Sequence, residues 1–252
     1  MSARGEVALD SMSMKYALGL ADDCLVLAQR LGGYVSFAPE LEIDMAVSNI
    51  ALDLLGQARG FYGYCSVLDS EGRSEDDFAM LRDSSEFRNH LLLEQPNTDF
   101  AYLIARQFLF DVFQKELFER LSRSRDTELA AVAKKGMREA DYHLDFSQSW
   151  VLRLGDGTPE SRERMQAAIH ALWPFTGALF QPEEALGAGI DPASLEEPWR
   201  KVVAATLEVA TLEIPVDLPQ DQGGRDGRES PYRAEMIEEM QEVQRAHPGL
   251  EW

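Results

Sequence analysis

Apolar positions recur along this chain at three- and four-residue intervals, and no stretch alternates with a period of two for the length of a strand. The pattern is clearest over residues 40–59, ELEIDMAVSNIALDLLGQAR. At about 100° per residue, Ile43, Val47, Ile50, Leu54 and Ala58 share one arc, and Asn49, Asp53 and Gln57 form a narrow polar stripe at its edge. Met45 and Leu52 lie beyond that stripe, so the helix is apolar nearly all round, as buried helices are. Polar groups enclosed in a bundle need partners there.

The same reading extends to the rest of the chain. A helix over about 14–32, capped by Ser13, carries Leu18, Ala21, Cys24, Leu25, Ala28 and Leu31 on one face, with Lys15, Asp22, Asp23 and Arg30 on the other, and stops at Gly32-Gly33. It pairs as an antiparallel hairpin with a helix over about 40–68. The acidic, broken segment 69–97 is a crossover with one or two short helices. A second long pair follows at about 98–122 and 126–154, ended by Leu-Gly-Asp-Gly. C-terminal helices are expected at 160–180, kinked at Pro174, at 193–212 and at 232–246. The Gly- and Pro-rich segment 213–231 reads as a long surface loop, with Gly223-Gly224 as a flexible turn too slight for phosphate binding. The prediction is an all-α, up-down bundle of four long helices in one domain over 1–252: a loose tail at 1–12, a four-helix core at 13–154, and C-terminal helices with a loop at 155–252.

Composition narrows the partners. Forty-four acidic against 24 basic residues give a net charge of -20, which opposes nucleic acid and anionic membranes and favours protein partners. Trp252 at the terminus is a candidate contact for another subunit, and self-association is left open. No run of about 18 apolar residues occurs and the first dozen residues do not resemble a signal peptide. The two cysteines, Cys24 and Cys65, fall inside apolar helical patterns, so a cytoplasmic chain with reduced thiols is expected.

A bundle that holds two metal ions takes one Glu from each of two helices and Glu-x-x-His from each of the other two. Residues three apart share a helix face, so that motif delivers two ligands together. Here His90, His143, His170 and His247 are preceded at that spacing by Phe87, Ala140, Ala167 and Gln244, so the motif does not occur. His90 reads as crossover packing, and His170 and His247 as surface residues. Residues equally far from a hairpin turn lie at one level, which brings Asp111 opposite Glu139, with His143 one turn on, and sets Asn49 and Asp53 against Cys24, Asp22 and Asp23 pointing away. One histidine, an amide and no acid from the first helix make a poor di-iron site. The favoured reading of Asn49, Asp53, Asp111, Glu139 and His143 is a hydrogen-bonded network that holds the helices in register, with metal binding as the alternative.

The blocks DDCLVLAQRLG, APELEIDMAVSNIALDLLGQAR, LLLEQPNTDFAYLIARQ, EADYHLDFSQSWVLRLGDGT and EMQEVQRAHPGLEW resemble, in order and over nearly the whole chain, the C subunits of bacterial phenylacetyl-CoA epoxidases. The resemblance implies a ferritin-like fold and a place in aerobic phenylacetate catabolism. It implies a multicomponent monooxygenase that makes the ring 1,2-epoxide of phenylacetyl-CoA with O2 and electrons from NADPH. In that family the A subunit holds the di-iron centre and the CoA ester, and the C subunit is a related bundle without the metal site that pairs with A. B and D subunits and a flavin and iron-sulfur reductase complete the system. The resemblance therefore implies no catalytic residue and no cofactor in this chain, with Asn49, Asp53, Asp111, Glu139 and His143 a vestigial polar cluster. The alternative is an independent oxidase or oxygenase with an atypical metal site at Asp53, Asp111, Glu139 and His143.

Overall fold

A computed structural model describes residues 3–182, 190–216, 220–221, 223–248 and 250, with side chains from residue 12 onward. Among these no strand occurs. The first hairpin is α1 (Ala3–Gly32) and α2 (Leu41–Leu68); the second is α4 (Phe100–Leu121) and α5 (Thr127–Gly155). Each helix packs chiefly on its hairpin partner, and α2 against α5 joins the two pairs into the expected all-α, ferritin-like bundle. The crossover between them contains a π-helical turn at Asp77–Leu81, a 3-10 turn at Ser84–Glu86 and the short α3 (Leu91–Glu94). The C-terminal part adds α6 (Pro159–Leu172), α7 (Glu196–Val209) and α8 (Arg233–Ala246).

Local chemistry fixes most helix ends. Asp99 accepts from the Tyr102 amide (2.8 Å) to start α4, and Asp126 accepts from the amides of Glu128 and Leu129 to start α5. Thr158 and Ser161 form a reciprocal cap on α6, with Pro159 in the first turn. At the end of α1 the Gly33 amide still reaches Gln29 O, and Ser36 turns the chain with φ +78° while its amide bonds the Asp44 carboxylate in the first turn of α2.

Four expectations need correction. The helix expected from 14 starts at Ala3, so the segment read as a loose tail is helical; residues 3–12 contain only one glycine and no proline to stop it. The helix expected over 160–180 ends at Leu172 and continues as 3-10 turns at Trp173–Phe175 and Gly177–Phe180, because Pro174 lacks the amide an α-helix needs. α2 is not enclosed: Leu41, Met45 and Leu52 are 71%, 58% and 64% exposed. Asp22 and Asp23, expected to point outward, are fully buried. Trp252 and parts of the 213–231 loop, residues 217–219 and 222, lie outside the described residues.

The C-terminal helices are tied to the bundle by buried aromatic rings. Trp199 of α7 is fully buried, donates Nε1–H to Leu109 O (2.9 Å), and packs against Trp173 and Phe180.

Candidate functional site

Four helices contribute to a ladder of polar side chains along the bundle. α4 carries Gln107, Asp111 and Gln114 on one face, at spacings of four and three; α5 opposes it with Glu139, His143 and Ser147, four apart. α2 adds Asp53 and Gln57, again four apart, and α1 adds Cys24. Gln57 is the hub: its amide donates to Glu139 Oε2 (2.9 Å) and its carbonyl accepts from Gln114 (3.1 Å) and from the Cys24 thiol (3.6 Å). A level away, His143 Nε2 lies 3.2 Å from Asp53 Oδ2. Further along, Asp111 accepts from Gln107 (2.6 Å) and from Ser147 Oγ (2.7 Å).

The sequence-predicted residues thus divide into three hydrogen-bonded sets instead of meeting at one point. Asn49 is exposed and stands outside them; the Asp53 side chain is 38% exposed and Glu139 half-buried, while Asp111 and His143 have no exposure. Among the described residues no group of three or more His, Cys, Asp or Glu side chains converges as metal ligands would. Burial pushes the Asp111 carboxyl up to about 8, against the smaller opposing pull of its bonds from Ser147 and Gln107. Burial likewise lowers His143, against the bond from Asp53, and raises the Cys24 thiol well above its ordinary value. A di-metal centre does not fit this donor set. The layer also contains amides, Gln57, Gln107 and Gln114, that no metal motif includes; their signal in the sequence is the repeat of polar residues on the inner face of α4, matched on α5.

A second set of buried charges lies where α1 meets the crossover. Asp22 accepts from Tyr62 OH (2.6 Å), from the Arg88 amide (2.7 Å) and from the Arg82 guanidinium. Asp23 accepts from the His90 amide (2.8 Å) and from Arg225 (2.8 Å), and faces His90 Nδ1 at 3.0 Å. Burial alone would raise Asp23, yet Arg225 and His90 together hold it below the usual carboxylate range. His90 is thus held in a buried acid pair, whereas His170 and His247 are exposed as expected.

Outside the ladder, α2 presents Leu41, Met45, Leu52 and Leu55 to solvent, and Phe37 in the preceding turn is 73% exposed. Tyr142 of α5 is also exposed, next in sequence to buried His143. Glu40, Glu42 and Asp44 stand at the start of this ridge. Exposed apolar side chains aligned along one helix are unusual on a lone monomer.

Two comparisons with known proteins bear on this arrangement. Residues 5–252 match the model of a family described as phenylacetic acid catabolic protein. The chain is also 48% identical over 243 residues to the C subunit of the 1,2-phenylacetyl-CoA epoxidase of Escherichia coli (strain K12), covering 94% of this chain and 98% of that one.

Proposed function

The chain belongs to the phenylacetic acid catabolic protein family, and on that premise we propose that it is the non-catalytic, structural subunit of a phenylacetyl-CoA 1,2-epoxidase. It pairs with the di-iron catalytic A subunit in the cytoplasm, and it holds no metal of its own. The observation that carries this reading is the apolar ridge of α2. Leu41, Met45, Leu52 and Leu55 are aligned on one face of a long, well-formed helix and are exposed. An interface needs such an apolar centre with a polar rim. The acids Glu40, Glu42 and Asp44 at its rim, on a chain of net charge -20, suit a partner face with basic residues around an apolar strip.

The division of Asp53, Asp111, Glu139 and His143 into separate pairs supports the absence of a metal role for them. Co-expression with the di-iron subunit provides the test. The pair co-purifies with iron in proportion to the partner, and the chain alone is iron-free. Met45→Asp with Leu52→Asp weakens the pair by at least tenfold, because each truncated apolar anchor at an interface centre is worth about 2 kcal/mol or more. Two irons in the lone chain, lost in Glu139→Ala, would establish the independent oxygenase instead.

A further inference from the structure

The apolar ridge of α2 lies beside a stripe of α5 whose charge is opposite to that of the chain as a whole. Four contacts fix the register of the two helices. Tyr64 OH bonds Asp126, a Cβ on Gly60 would meet Val132 at 3.1 Å, Gln57 bonds Glu139 at 2.9 Å, and His143 lies 3.2 Å from Asp53. Numbers fall on α2 as they rise on α5, so the helices run antiparallel. Lys134, Lys135 and Arg138 therefore stand level with the turn of α2 that follows Leu55, and Tyr142, 48% exposed, stands level with Leu52 and Leu55. The exposed surface runs from the ridge onto this stripe.

Lys134, Lys135 and Arg138 are exposed, and none of them takes part in an ion pair among the described residues. The acids nearest in sequence are committed elsewhere: Glu139 to the Gln57 amide and Asp141 to Lys115. Glu128 and Asp145 lie more than a turn beyond either end of the three cations. Arg59, on the facing turn of α2, is held by Glu75. Lys134 and Arg138, four apart on one helix, repel each other, so the stability of α5 does not call for this arrangement. The opposite end of the ridge carries Glu40 and Glu42, both exposed, while Asp44 is spent on the Ser36 amide. From Leu41 to Leu55 the ridge extends about 21 Å at 1.5 Å per residue, with acids at its start and cations past its end.

We propose that the docking face for the catalytic subunit extends past the ridge onto α5, and that its two ends of opposite sign fix the direction in which the partner lies on it. The partner's basic residues meet Glu40 and Glu42, its apolar strip covers the ridge, and its carboxylates meet Lys134, Lys135 and Arg138. Tyr142 packs between the apolar and the charged parts, as aromatic anchors do at interfaces. A partner turned end for end would set acid against acid and base against base, and like charges brought together in an interface select against that pose. This inference rests on the subunit role proposed above, because it takes the ridge as the centre of the contact.

The test is the affinity of the full chain for the di-iron subunit at low and high salt. Lys134→Glu, Lys135→Glu and Arg138→Glu together should weaken the pair at least tenfold and flatten its salt dependence, with helical content unchanged. Arg162→Glu, a like change of charge on α6, should leave both as they were. A carbodiimide, which joins a lysine to a carboxylate only where the two touch, should link Lys134 or Lys135 to acids of the partner, and Glu40 or Glu42 to its lysines. If Met45→Asp with Leu52→Asp breaks the pair and the triple reversal does not, the extension onto α5 is overturned and the ridge stands. If neither set weakens the pair, the ridge itself falls. Cross-links from Lys134 or Lys135 to the partner absent from an intact pair overturn the orientation. A lone chain that dimerises, and becomes monomeric by light scattering in the triple variant, would give the face to a second copy and overturn the assignment.

Discussion

At Asp111 the loss of hydration outweighs what two hydrogen bonds return, and the carboxyl keeps its proton to about pH 8. Its folded value lies above the unfolded one, near 3.9, so folding favours the protonated form. The penalty is nil below about pH 4, grows as pH rises and is complete above about pH 8. Asp111→Asn keeps the shape and an acceptor for Ser147 but removes the titration. Urea unfolding should show the variant gaining on the parent between pH 5 and 8.5, by at most about 6 kcal/mol at 1.36 kcal/mol per unit. His143, whose burial lowers its pKa, acts in the opposite sense: its stability is present above about pH 6.5 and lost as pH falls. The difference between variant and parent isolates Asp111 from it. A parallel pH dependence in both proteins would mean that Asp111 ionises freely. The sequence placed Asp111 among the buried polar residues, but counting levels from the turn set it opposite Glu139, whereas it bonds Ser147, two turns further along α5. Asp22 and Asp23 were not placed among them. Their cations, Arg82 and Arg225, come from 60 and 202 residues away, and a helical pattern sees only its own neighbours.

Among the elements, the two hairpins and their helix ends, the start of α1 excepted, followed from periodicity and capping residues, whereas α2 shows where periodicity stops. A helix apolar on several faces is buried, but the pattern does not say by what. Here part of its burial is by the chain itself, through Ile43, Val47, Ile50 and Leu54, and the remaining apolar face is exposed. The junction of α5 with α7 was equally invisible. At Gly155 a Cβ would sit 2.4 Å from the main-chain oxygen of Ala210 and 2.8 Å from its Cβ. Alanine is a better helix former than glycine by about 1 kcal/mol, so propensity alone predicts that Gly155→Ala stabilises. The close approach involves backbone, which cannot swing aside, and overpacking costs about 1–3 kcal/mol. The expected result is a lower thermal midpoint with α7 detached first, read as faster amide exchange at Val203 and Leu207 than in α4. A raised midpoint would show that α7 shifts without cost.

Across the whole molecule, acidic excess and buried ion pairs make the C-terminal segment a clasp instead of an appendage. Arg225 reaches Asp23 in α1, Arg233 reaches Glu94 in α3, the Ser230 amide bonds the same Glu94, and Gln241 donates to the carbonyls of Ala79 and Arg82. Arg233 and Glu94 are both without exposure. Such a pair adds little over a matched apolar pair, but removing one partner leaves a buried charge and costs about 3–5 kcal/mol. Arg233→Met should therefore lower the urea midpoint strongly, since Glu94 would keep only the bonds from Asn89 and Ser230. Glu94→Gln added to it should recover most of the loss, because the amide keeps an acceptor for one of those donors and removes the buried charge. If the double variant were as unstable as the single one, the damage would come from the lost packing of the Arg233 stem against the crossover. Recovery would make the clasp electrostatic. A chain whose 44 acids repel one another would then use its C-terminal arginines to close the bundle over its own buried carboxylates.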